Sequence, residues 1–139
     1  MKTPSKSFHS GTSVVITRTP TEITVGADSK SAKLIENDIL DIGTICKIHQ
    51  IGNMFFSSAG FNGMNDEIGL SEIVQKCHQN GGKILSTVEE FEQEIVPILK
   101  DAAKLVSEIH PKYFNEEVLK GYLLSISFMG FEGGVPLIY

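Results

Sequence analysis

Three features of the chain predict an α+β fold in which antiparallel sheet is layered with helices. Short runs rich in Val, Ile, Thr and Phe fill the N-terminal half and return at the C-terminal end. Two helical stripes lie together between them. The order β-β-β-β-α-α-β-β groups strands and helices in blocks, which favours antiparallel sheet with helices on a face over alternating parallel units. At 139 residues, 41% hydrophobic and 21% charged, the chain suits one domain with a real core.

Met1 to Ser10 is polar, with only Phe8 to bury, and reads as a flexible leader that is removed or frays. Ser13 to Thr19 is a strand, Pro20-Thr21 a turn, and Glu22 to Asp28 the returning strand. By period two, Ile23, Val25 and Ala27 share one face, and Thr24, Gly26 and Asp28 the other. Gly26 removes bulk beside Asp28, as where another group comes close. Lys30 to Gly43 is polar with scattered Leu and Ile and reads as a loop with some extended structure.

Thr44 to Ile51 and Asn53 to Ala59 form a second strand pair about Gly52-Asn53. Ile45, Cys46, Ile48, Ile51, Met54, Phe55 and Phe56 put apolar groups on both its faces, so the pair is expected to be covered on both sides. Ser57-Ser58-Ala59-Gly60 then shrinks to small residues, as where a backbone approaches a ligand. A helix is predicted from Asp66 to Gln79, ended by Asn80-Gly81. A second opens with Ser86 and Glu89 in capping-box spacing and carries a core-facing stripe from Val88 to Ile109. Pro97 is expected to kink it, and Pro111 to stop it. Asn115 to Lys120 reads as a short helical turn, Gly121 to Met129 as a strand, and Phe131 to Gly134 as a turn. Val135 to Tyr139 starts a further strand with no obvious partner left.

Composition narrows the function. A net charge of −5 without any basic run argues against nucleic acid, which wants a basic face. Cys46 and Cys77 have no metal-type spacing and read as buried free thiols, suited to a reducing compartment. The N-terminus has no apolar signal core, and no apolar run approaches the ~20 residues of a membrane span, so a soluble, cytoplasmic protein is expected. His9, His49, His78 and His110 follow no triad or metal pattern and read as structural or surface residues. Ser57 and Ser58 lack the glycine-flanked elbow of serine hydrolases.

Gly11-Thr12-Ser13-Val14-Val15, Gly26-Ala27-Asp28-Ser29-Lys30, Lys47-Ile48-His49-Gln50-Ile51 and Phe56-Ser57-Ser58-Ala59-Gly60 resemble the proteasome β-type subunits. Leu123 to Tyr139 matches that family in order as well, so the resemblance runs from Gly11 to Tyr139. It implies an N-terminal-nucleophile hydrolase, an αββα sandwich of helices on paired antiparallel sheets. It also implies a threonine peptidase acting on peptides or unfolded proteins, assembled in rings with copies of itself or related subunits, and using no metal or organic cofactor; an unfoldase partner is left open by the sequence. Cleavage would fall between Gly11 and Thr12, making residues 1–11 a leader and 12–139 an incomplete hydrolase domain.

By motif position the resemblance makes Thr12 the nucleophile, Lys47 the residue that lowers its pKa, and Asp28 the partner that orients Lys47. Lys30 takes the place of a family arginine, the Gly60 N–H would face the oxyanion, and Ser58 would line the substrate pocket. The chemistry is sound on its own terms. A threonine hydroxyl needs a base, and a free α-amine with an ordinary pKa of roughly 7.7–8.0 can supply one. An oxyanion donor is worth roughly 10²–10³-fold in rate. Read singly, each residue also has a plain structural role: strand threonine, turn aspartate, solvated strand lysine and turn glycine. Family members continue past the Tyr139 strand with a serine and an aspartate that support the threonine, and nothing here matches them. The chain is therefore expected to be incomplete and unprocessed. The rival reading is a non-catalytic ring subunit of the same fold, and a third is an amidase for small amides.

Overall fold

A computed structural model describes residues 6–11, 14–28, 30–36, 38–44, 46–65, 67–78, 82–121 and 123–139. Its strands are β1 (Phe8–Gly11), β2 (Val14–Arg18), β3 (Ile23–Ala27), β4 (Lys30–Ile35), β5 (Asp38–Thr44), β6 (Ile48–Ile51), β7 (Met54–Met64) and β8 (Ile68–Gly69). Helices α1 (Leu70–Cys77), α2 (Ile84–Ile109) and α3 (Pro111–Tyr113) follow, then a π-helical turn (Phe114–Val118), β9 (Leu124–Glu132) and β10 (Val135–Ile138). The expectations placed on Thr12, Ser13, Ile45, Asp66 and Asn80-Gly81 lie outside the described residues.

The α+β class is observed. A large antiparallel sheet runs β10-β9-β7-β1-β4-β5, with β6 and β8 also paired to β7, while β2 and β3 form a two-stranded sheet of their own. Phe8, Phe56, Phe61 and Phe128 of the large sheet are buried with Val74, Phe91, Ala102 and Val106 of the helices. Ring contacts run from Phe56 to Phe128 and on to Phe91, so Phe56 marks the helix-covered face of β7. No helix among the described residues is long and apolar enough to cross a membrane.

The expectation that the leader frays needs correction. Phe8–Gly11 does not fray but is an inner strand, paired with β4 on one side and β7 on the other. Phe8 is fully buried and its ring meets Phe61 and Tyr113 at 5.7 and 6.2 Å. Just upstream, the Ser7 N–H donates to Asn65 Oδ1 (3.3 Å), and the Asn65 N–H returns a bond to the Ser7 carbonyl (2.9 Å).

Lys30 to Gly43 likewise forms two paired strands and not a loop, with Leu34 of β4 joining the core opposite Phe8. The C-terminal strand has a partner after all: β10 returns along β9 through Gly133-Gly134, both at positive φ. The β6–β7 hairpin is covered on the helix side, but Phe55 on the other side is 39% exposed, so coverage there is partial. Gly26 meets open space; close approach falls instead at Gly63, where an added Cβ would lie 2.7 Å from the Ile68 carbonyl oxygen, and at Gly60, where it would meet the Leu123 carbonyl oxygen.

Helix α1 is shorter than expected, because Ile68–Gly69 pairs with β7 before the helix begins. Helix α2 starts ahead of the proposed capping box. Its Ile84 N–H is held by Glu132 Oε1 at 2.7 Å, a cap supplied by the far end of β9. It runs through Pro97 as one 26-residue element. Pro111 opens α3, and His110 Nδ1 accepts the Tyr113 N–H at 3.1 Å as its cap.

Candidate active site

The site is built where the two sheets meet. Asp28 directly follows β3, and Lys47 lies in the short segment before β6. Lys47 Nζ donates to Asp28 Oδ1 at 2.6 Å and also to the Lys30 carbonyl. The same Asp28 oxygen accepts the Lys30 N–H at 3.2 Å, so carboxylate, ammonium and the first peptide of β4 form one knot. The Lys47 side chain is 4% exposed and that of Asp28 38%. A lysine this deep is not the solvated strand charge of the plain reading. Burying an ammonium is costly unless it is paired and hydrogen-bonded, and here it is both.

Lys47 is fixed at its backbone as well. The buried Ser57 hydroxyl donates to the Lys47 carbonyl at 2.8 Å. Ser57 alternates with Phe56 along β7, so this tether stands on the face away from the helices, and the β2–β3 hairpin lies against β6 and β7. Ser58, by the same alternation, points to the Phe56 side and is not brought to the Lys47 knot.

Gly60 adopts φ +90, where side chains are disfavoured, and the Leu123 carbonyl leaves no room for a Cβ. Its Cα is in register with Gly11 of β1, and Gly11 is in register with Ser31 of β4. The described half of the expected cleavage junction therefore lies between Gly60 and a residue adjoining the Lys30 carbonyl that holds Lys47. Thr12 itself lies outside the described residues. The structure thus joins Asp28, Lys47 and the Lys30 backbone directly, and links Gly11 and Gly60 to them through strand register. Lys30 contributes by its peptide groups, while its side chain is exposed.

A cavity of about 470 Å³, lined by Ser10, Lys30, Leu34, Ile39, Asp41 and Tyr113, opens beside β4 and β5. Register places Ser10, Ala32 and Leu34 on the helix side, where the Ser10 and Tyr113 hydroxyls lie 3.4 Å apart, and Lys30, whose carbonyl receives Lys47, belongs to both the cavity wall and the lysine knot. Among the described residues no group of three or more His, Cys, Asp and Glu forms a metal-holding cluster.

Cys77 is buried as expected, and burial pushes its thiol up, with Glu90 and Glu94 adding to the shift. Cys46 is exposed, contrary to expectation, its thiol donating to the Ile48 carbonyl at 3.0 Å. His49 stacks on Phe56 at 4.8 Å between ring centroids, and burial holds its pKa below the ordinary value. The residue that sequence reasoning missed is Ser57. Its signal was present, a hydroxyl at the start of the small-residue run, but no local pattern shows that its partner lies ten residues earlier.

Comparison with known proteins finds no matching family model, no similar curated protein and no similar solved structure.

Proposed function

We propose that the chain is an N-terminal-nucleophile hydrolase of proteasome β-type, with an αββα architecture, acting as a threonine endopeptidase on peptides or unfolded proteins. The supporting observation is the lysine knot: a buried Lys47 ammonium bonded to Asp28 and to the Lys30 carbonyl, one residue along β4 from the register partner of Gly11. A fixed positive charge in a water-poor site favours the deprotonated form of a neighbouring hydroxyl or amine. On this reading scission of Gly11-Thr12 frees the Thr12 amine as base, Lys47 lowers the pKa of the Thr12 hydroxyl or amine, and Asp28 orients and charge-balances Lys47. The tetrahedral oxyanion forms against the Gly60 N–H. No metal or organic cofactor takes part, and the working protein is a cytoplasmic ring of copies or related subunits.

One observation favours the non-catalytic ring subunit instead. A chain that keeps its leader is what that alternative predicts, and Phe8–Gly11 is woven into the sheet. Turnover of a fluorogenic peptide panel by the full-length protein separates the two. The peptidase reading expects activity that Thr12→Ala abolishes and Lys47→Ala lowers at least about 100-fold. Activity indifferent to both changes, or none in an assembled ring, overturns it.

A further inference from the structure

We infer that Ser57 is a positioning residue of this site, holding the Lys47 ammonium in place through the Lys47 backbone. The inference rests on the reading of Lys47 as a site residue, but its geometry stands alone.

Lys47 precedes β6 and has no ladder partner among the described residues, since pairing of β6 to β7 begins at Ile48 opposite Ser57. A long, rotatable side chain leaving an unpaired backbone position would lose its aim. Two groups prevent this. At the tip, Asp28 and the Lys30 carbonyl receive Nζ. At the root, the Ser57 hydroxyl donates to the Lys47 carbonyl at 2.8 Å, and Ser57 is itself 1% exposed.

Ser57 suits that task because its own backbone cannot drift. It stands in the middle of β7, in register with Ile48 on one side and Ser127 of β9 on the other. Gly60 is three residues further along the same strand, with no break in the β7–β9 register between them. One rigid strand therefore sets both the root of the cationic side chain and the glycine proposed to bind the oxyanion. A hydroxyl aimed at a loop carbonyl is the link between them, and alanine at 57 would remove it while leaving that buried carbonyl without its side-chain donor.

The test uses side-chain NMR of the isotopically labelled full-length protein. It reads hydrogen exchange at the Lys47 ammonium, with peptidase turnover measured in parallel. Ser57→Ala is expected to speed exchange at Lys47 at least about tenfold and to lower kcat roughly 10–100-fold with little change in KM. Ser57→Thr, which keeps the hydroxyl, is expected to restore both. Should Ser57→Ala fail to fold, Ser57→Cys keeps the volume with a weaker donor, and it must still speed exchange. Exchange unchanged in a folded Ser57→Ala or Ser57→Cys protein overturns the inference, as does failure of Ser57→Thr to rescue. A wild-type protein without peptidase activity, whose Lys47 exchange still responds to Ser57, refutes the enzyme and leaves the tether standing.

Discussion

The two segments flanking the Gly11-Thr12 junction are held in opposite ways. Upstream, β1 is an inner strand with a fully buried Phe8 and bonding neighbours on both edges. Downstream, the β2–β3 hairpin forms a separate sheet with Val15 67% exposed, and its firm attachment is at its end, through Asp28 to Lys47. The segment expected to be discarded is thus part of the core, and the segment expected to carry chemistry is peripheral. Burial follows what the fold needs, and the candidate site sits at the seam where the peripheral sheet is tied to the main one.

Core truncation gives the widest contrast. Phe8→Ala should cost about 3–5 kcal/mol in urea unfolding, since it opens a cavity between Phe61 and Tyr113. Val15→Ala should stay within about 0.5 kcal/mol. Equal effects would dissolve the distinction. Gly60→Ala should follow, at about 2–4 kcal/mol, from an unfavourable positive φ and the clash of the new Cβ with the Leu123 carbonyl. Glu132→Ala, by uncapping α2, should cost about 0.5–2 kcal/mol, visible as lost helicity on warming.

A smaller effect tests the β6–β7 side. Burial lowers the His49 pKa in the folded state, so the unfolded chain binds its proton more readily. The contribution from His49 is therefore present above its unfolded value, ordinarily 6.5, and lost as pH falls below it. His49→Phe should flatten that part of a stability-against-pH curve; an unchanged curve would show that His49 is not the group responsible.

Much of the architecture was legible. The β2–β3 and β6–β7 hairpins followed from β-branched runs around Pro20 and Gly52-Asn53, and the α2 stripe from its spacing. The strand β1 was not, because Phe-His-Ser-Gly carries one apolar side chain, and its strand character comes from β4 and β7. The β4–β5 pair was hidden by polar residues on strands near a sheet edge, where alternation is weak. In the site, motif order brought Asp28, Lys47 and Gly60 forward together. Sequence could not show that Lys47 is buried, that Lys30 acts by its backbone, or that Ser57 holds the lysine. Each depends on a partner distant in the chain.

The buried leader also bears on processing. If Gly11-Thr12 is cut, residues up to Gly11 should stay bound as a noncovalent strand, co-eluting under native conditions and separating only in denaturant.

Intact-mass measurement under denaturing conditions, on full-length protein from its own cell, tests the central claim most directly. The threonine-peptidase account predicts a species beginning at Thr12, absent from both Thr12→Ala and Lys47→Ala. A chain that keeps its leader in every preparation, or one trimmed at that bond equally well without Lys47, would contradict it.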